Sequence, residues 1–295
     1  MQEGVSLRPL GVGDIVDRVF AIYRSRPLLF LAVSAIPYLL LVLFVGALAL
    51  AFTDSFQALA PLFAGDLDSL QEIAPAIGTL VGFILLVVAF ALVTSLVQSA
   101  ALVDAAAARY LGRDATVGGA LRVGLRAAGR LFVMGVVAFL AFTVLWIAST
   151  VVMGLAGEWW IALIVLCVAL FATFYMAASW MVSPAIATLE GLGPVASLRR
   201  SWSLANGHRW RILGLMALLV ILQVVLSALI SILLVASIAA DEGVQLAVQQ
   251  AVNLLTTIAW APVYWGTFAV LYYDLRVRKE AFDLQLAAEA LPRTT

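Results

Sequence analysis

A chain of 295 residues that is 64% hydrophobic and only 12% charged lies far from the roughly 45–50% and 25% of soluble domains, which excludes a water-soluble fold. Basic and acidic residues are 17 each, for a net charge of zero, so total charge says nothing about nucleic acid or acidic substrates; no nucleic acid is expected as a partner. Cys167 and His208 are the single cysteine and the single histidine; no disulfide framework, thiolate metal centre or paired-imidazole site can be built from them, and neither metal nor cofactor is expected.

Residues 1–27 open the chain with an amphipathic stretch. Ile15, Val16, Val19, Phe20 and Tyr23 share one helical face, with Asp14, Asp17, Arg18 and Arg24 opposite. Six apolar runs follow: Leu28 to Phe52, Ala76 to Val103, Leu131 to Leu155, Trp159 to Val182, Ile212 to Ala239 and Leu246 to Tyr273, all free of Asp, Glu, Lys and Arg. Each reaches the ~20 residues that a helix needs to cross a ~30 Å hydrocarbon core. Uninterrupted apolar runs exclude a barrel, whose strands alternate. The first run is far longer than a signal-peptide core and reads as a retained span.

The segments between the spans give an orientation. Residues 1–27, 104–130, 183–211 and 274–295 hold all 17 basic residues, whereas the opposite loops carry Asp54, Asp66, Asp68, Glu72, Glu158, Asp241 and Glu242. Positive charge stays inside, so both termini are expected in the cytoplasm of a multi-pass protein of the plasma membrane. Trp159, Trp160, Trp210, Tyr272 and Tyr273 stand where interface anchors belong.

The second inside segment places Val117, Leu121, Leu125 and Phe132 at helical spacing, with Arg122, Arg126 and Arg130 stacked on another face; the third has Pro194, then Val195, Leu198 and Trp202 beside Arg199 and Arg200. The pattern predicts an all-α membrane domain of six spans over 28–273, arranged as three hairpins, each preceded by a cytoplasmic amphipathic interfacial helix, with 274–295 as a tail.

Three segments carry a family resemblance: 7 to 15 (LRPLGVGDI), 197 to 211 (SLRRSWSLANGHRWR) and 272 to 284 (YYDLRVRKEAFDL). They resemble bacterial membrane proteins of the group named after the membrane domain of glycerophosphoryl diester phosphodiesterase. The resemblance runs over essentially the whole chain, and its motifs are tags of membership, silent on chemistry. It implies the membrane module alone. The soluble catalytic barrel of such phosphodiesterases is not expected in a tail of 274–295, so no enzyme is expected.

Two constellations admit a functional and a structural reading. Arg122, Arg126, Arg130, Arg199, Arg200, Arg209 and Arg211 form a basic rim suited to anionic lipid headgroups and a membrane or cytoplasmic protein partner, or serve only to set topology. Gln223, Ser227 and Ser231 on the fifth span, and Gln249, Asn253 and Thr257 on the sixth, form two polar stripes: a seam for a lipid or neutral solute, or interhelical glue. Thr94, Ser95 and Gln98 on the second span share that ambiguity. Gly78 and Gly82 form a small-xxx-small pair read as helix packing. With no ionisable group in any span, proton-driven transport has nothing to run on. His208 reads as an interfacial residue of its tag, Asp274 as a stop marker paired locally with Arg276 and Arg278, and Asp66, Asp68 and Glu72 match no calcium-loop spacing.

Overall fold

The computed structural model describes residues 9–57, 70–235 and 241–289. Asp66, Asp68, Leu59, Leu62 and Phe63 of the long outer loop lie outside them, as do the side chains of Phe56 and Glu72. Among the described residues every regular element is a helix. In chain order they are α1 (Val12–Ser25), α2 (Pro27–Ala51), α3 (Thr53–Gln57), α4 (Leu70–Tyr110), α5 (Val117–Ala156), α6 (Trp159–Trp180), α7 (Ser183–Leu189), α8 (Pro194–Ala205), α9 (Arg209–Val235), α10 (Glu242–Glu280) and α11 (Phe282–Glu289).

Among the described residues six helices, α2, α4, α5, α6, α9 and α10, are long and apolar enough to cross a membrane. The observed start and end of α2 lie one residue from the run read in the sequence, because Pro27 supplies a first-turn residue with no amide to satisfy. Large side chains such as Leu43, Leu85, Phe139, Val144 and Val168 stand exposed along the spans, as expected where hydrocarbon is the solvent. The sixth span is different: 56% of its most apolar window is buried inside the protein, against 22% or less for the other five. α10 is therefore the central helix, packed chiefly on α4, α1 and α2.

That packing departs from a row of three equivalent hairpins. α2 packs on α4, and α5 packs on both α4 and α6, but α9 shares little surface with α10. The three amphipathic stretches also part ways. α1 is a separate helix, yet its apolar face is covered by protein rather than lipid, with Ile15 0% and Val19 2% exposed. Residues 117–130 form no separate helix; they are the first turns of the 40-residue α5. Thr116 caps it, accepting from Gly119 N at 3.2 Å, and no proline follows to break it. The face that packs is made of Ala120, Gly124, Ala127 and Leu131, whereas Leu125 and Phe132 stand outside. α8 is separate, started by Pro194 and ended before Gly207 at φ 82°.

Small residues set the close approach of α4 and α5. A Cβ on Gly124 would lie 2.4 Å from the Val97 carbonyl oxygen, and Ala100, Ala101, Ala105 and Ala106 are buried on α4. Gly78 and Gly82 do no such work, since a Cβ on either meets nothing within 4 Å. At about 60 Å, α4, α5 and α10 outrun the hydrocarbon, and their ends build a second, polar layer with α1, α7 and α8.

Candidate functional site

The charged end of the bundle is where the three tag segments meet. Asp274, 1% exposed, projects from α10 between them. Its Oδ1 accepts from the Leu10 amide at 2.8 Å, and Oδ2 accepts from Arg211 of α9 and from Arg278 at 3.1 Å. Arg211 and Arg278 then share the Leu10 carbonyl, Arg278 donating at 2.8 Å. One carboxylate and one peptide carbonyl thus accept from two guanidinium groups, and Leu10, just before α1, is tied to the fifth and sixth spans. Asp274 does pair with Arg278, but its second partner is Arg211. Arg276 turns away.

Arg276 belongs to a second cluster. Glu280 lies 2.9 Å from Arg276 Nε and 3.0 Å from Arg200 Nη1. Arg200 also donates to Glu190 at 2.7 Å, and the Tyr272 hydroxyl donates to the same carboxylate oxygen at 2.7 Å. Two carboxylates neutralise two arginines here. Tyr272 and Tyr273 are consequently not interface anchors: they are 1% and 4% exposed, Tyr273 stacking on Tyr110 with ring centroids 5.4 Å apart. Trp159 and Trp210, both 77% exposed, do stand at the surface.

The seven rim arginines therefore divide. Arg200 and Arg211 are committed to carboxylates; Arg130 donates to the Gly191 carbonyl at 2.7 Å; Arg209 is held by Ser179 and Asn206. Arg122, Arg126 and Arg199 are exposed and bond to no group among the described residues. Exposed Leu125 and Phe132 flank the first two on α5, and Val195 precedes Arg199 on α8.

The polar stripes are not joined. Gln223, Ser227, Ser231, Gln249, Asn253 and Thr257 are all exposed; the Ser231 hydroxyl donates to its own helix at Ser227 O, 2.8 Å, and the amides of Gln223, Gln249 and Asn253 bond to nothing among the described residues. A cleft with a few polar groups on a mainly apolar wall lies elsewhere. About 510 Å³ opens between α2, α4 and α10, bordered by Tyr38, Thr94, Ser95, Gln98 and Thr257. Gln98 anchors its wall, donating to Ser34 O at 2.8 Å and Ser34 Oγ at 3.0 Å. Thr257 is the one stripe residue that reaches this cleft.

Among the described residues no cluster of three His, Cys, Asp or Glu is placed to hold a metal ion. His208 is partly buried, and that burial, with the neighbouring charges of Arg278, Lys279 and Arg211, pushes its imidazole below the ordinary 6.5. A histidine with a depressed folded value contributes stability above about 6.5, lost as pH falls through the lowered value. Thermal melts should therefore drop as pH falls below about 6.5, and His208→Gln should flatten the part of that drop due to this residue; an unchanged profile would show that the histidine does not contribute.

Sequence reasoning missed Leu10 as a ligand of arginines and Ser179, Tyr175 and Trp202 as the setting of Arg209. The signal available was Glu190, the lone carboxylate of 183–211, and Asp274 and Glu280 beside the basic residues of 274–295. No curated protein and no solved structure matches the chain. A family model does, over residues 10–275, an interval that begins and ends in the Asp274 cluster, and the chain accordingly belongs to the family described as a domain of unknown function, DUF7847.

Proposed function

We propose that this protein is a non-enzymatic scaffold or accessory subunit of the bacterial plasma membrane, with both termini cytoplasmic and a basic face that meets anionic headgroups and a protein partner. One observation carries the reading: once the carboxylates have neutralised Arg200, Arg211, Arg276 and Arg278, the free cations Arg122, Arg126 and Arg199 remain exposed beside apolar side chains at the charged end. That combination suits the boundary between headgroups and acyl chains. The placement of all basic residues on one side supports the orientation, and the resemblance to the phosphodiesterase membrane module, kept as part of this proposal, fits a helper that leaves chemistry to others.

Each arginine near an anionic surface contributes about 1 kcal/mol. Replacing Arg122, Arg126 and Arg199 together by Ala should weaken the preference for phosphatidylglycerol over phosphatidylcholine by roughly 100-fold, read from lipids retained in native mass spectra. Retention equal to that of the parent protein would sink the headgroup role.

A second reading, carriage of a lipid or neutral solute, draws on the cleft between α2, α4 and α10. Its wall is uncharged and mainly apolar, carries the hydroxyls of Thr94, Ser95 and Thr257, and lies within the spans. Ser95→Val with Thr257→Val should abolish a measured flux in vesicles at unchanged thermal stability. Persistent flux would rule this cleft out as the path.

A further inference from the structure

Arg209 is an ordered arginine of the charged end that, like Arg130 on the Gly191 carbonyl, bonds to no carboxylate. Arg200, Arg211, Arg276 and Arg278 each bond to a carboxylate. The Arg209 guanidinium is fixed by neutral groups: Nε donates to Ser179 Oγ at 2.7 Å, Nη1 donates to Asn206 Oδ1 at 3.0 Å, and Cζ sits 4.3 Å from the Tyr175 ring centroid and 5.1 Å from that of Trp202. Of its five N–H groups, two are spent. The rest form a donor fork on a cation that no carboxylate neutralises and whose rotamer is already locked.

Beside this fork lies a cavity of about 310 Å³ between α6 and α9, walled by Phe171, Phe174, Tyr175, Trp210 and Leu213. That volume is at the lower end of ligand sites. Phe171 and Phe174 are 57% and 58% exposed, so the groove opens sideways, through faces that the spans turn to lipid. Phe171 precedes Ser179 by two helical turns, so the groove runs about 12 Å from the guanidinium toward the middle of the span. An apolar trough open to hydrocarbon and headed by an unneutralised cation has the shape and polarity of one lipid.

We infer that this groove holds a single anionic phospholipid, its phosphate on the free N–H groups of Arg209 and one acyl chain along the aromatic wall. The inference rests on the reading that the charged end meets headgroups. It is separable from the rim, because Arg122, Arg126 and Arg199 do not line the groove. The trough assigns the phosphate to a lipid and not to a soluble ester, which would leave the aromatic wall uncovered.

The test is native mass spectrometry of the purified full chain in detergent, titrated with dioleoylphosphatidylglycerol, dioleoylphosphatidylcholine or glycerol 3-phosphate. One phosphatidylglycerol per chain should bind at least tenfold more tightly than phosphatidylcholine, and glycerol 3-phosphate should not displace it. Arg209→Leu should weaken binding at least tenfold and Arg209→Lys less, since charge is kept and the fork lost. Leu213→Trp fills the trough while leaving every residue that holds Arg209 in the sequence, and should weaken binding at least tenfold even if Arg209→Leu fails to fold. Undiminished phosphatidylglycerol binding by Leu213→Trp, equal binding of phosphatidylcholine, or displacement by glycerol 3-phosphate would each overturn the proposal. In the Arg122, Arg126, Arg199 triple-Ala variant this one lipid should stay bound; if it is lost there while Leu213→Trp keeps it, the rim reading stands and the groove is refuted.

Discussion

Asp274→Asn is expected to destabilise the protein by about 3–5 kcal/mol, the usual consequence of removing one partner from a buried ion pair. The side chain is 0% exposed, whereas Arg211 and Arg278 are 18% and 26% exposed, so both lose their counter-charge while largely out of water. Asparagine keeps the shape and one acceptor oxygen but offers its amide to groups that can only donate. The Leu10 amide also loses its charged acceptor, so the N-terminal helix should loosen from α10. Thermal unfolding of the purified protein in detergent checks the first effect, and protease cleavage before α2 checks the second. A variant that melts with the parent and resists protease equally would show that the Asp274 cluster does not hold the chain together.

Gly124→Val should be nearly as harmful, for a steric reason. The added Cβ lies 2.4 Å from the Val97 carbonyl oxygen and 3.2 Å from its carbon. Both are backbone atoms of the facing helix, so α4 and α5 must separate where they pack most closely. Overpacking of this kind costs about 1–3 kcal/mol, occasionally more, and Gly124→Ala should already reach the lower part of that range. Gly129 and Gly135, on the same helix, have nothing within 4 Å of a built Cβ. Gly129→Ala and Gly135→Ala should therefore be neutral or gain up to about 1 kcal/mol from helix propensity. A Gly124→Ala variant as stable as Gly129→Ala would contradict the close approach.

The spans were legible because each is a long run without an ionisable group, a signal that needs no knowledge of partners. The amphipathic stretches were legible as patterns but not as elements. α1 and α8 are separate because Pro27 and Gly207 follow them, and the stretch from Val117 has no such break before its span. An apolar face also does not say what covers it. Ile15 and Val19 match an interfacial helix in pattern, yet a central α10 lies there in place of lipid.

The polar stripes show a related limit. Depth along a helix can be counted from its end, so Ser231 and Asn253 could be matched in height; rotation about the axis is fixed by what the central helix packs on. α10 turns its buried face to α4, α1 and α2, which leaves Gln249 and Asn253 outside and brings Thr257 to the cleft with Gln98. The arginines divide for the same reason. Their spacing is identical in kind, and the positions of the carboxylates Glu190, Asp274 and Glu280 and of the neutral acceptors at Gly191, Ser179 and Asn206 decide which of them stay free.

Extraction of the protein with its native lipids after mild crosslinking, followed by native mass spectrometry of the parent chain and the Arg122, Arg126, Arg199 triple-Ala variant, tests the scaffold reading most directly. The account predicts anionic lipids and a stoichiometric protein partner on the parent, with both reduced on a variant that melts at the parent's temperature. Identical lipids and proteins on the two chains would contradict it.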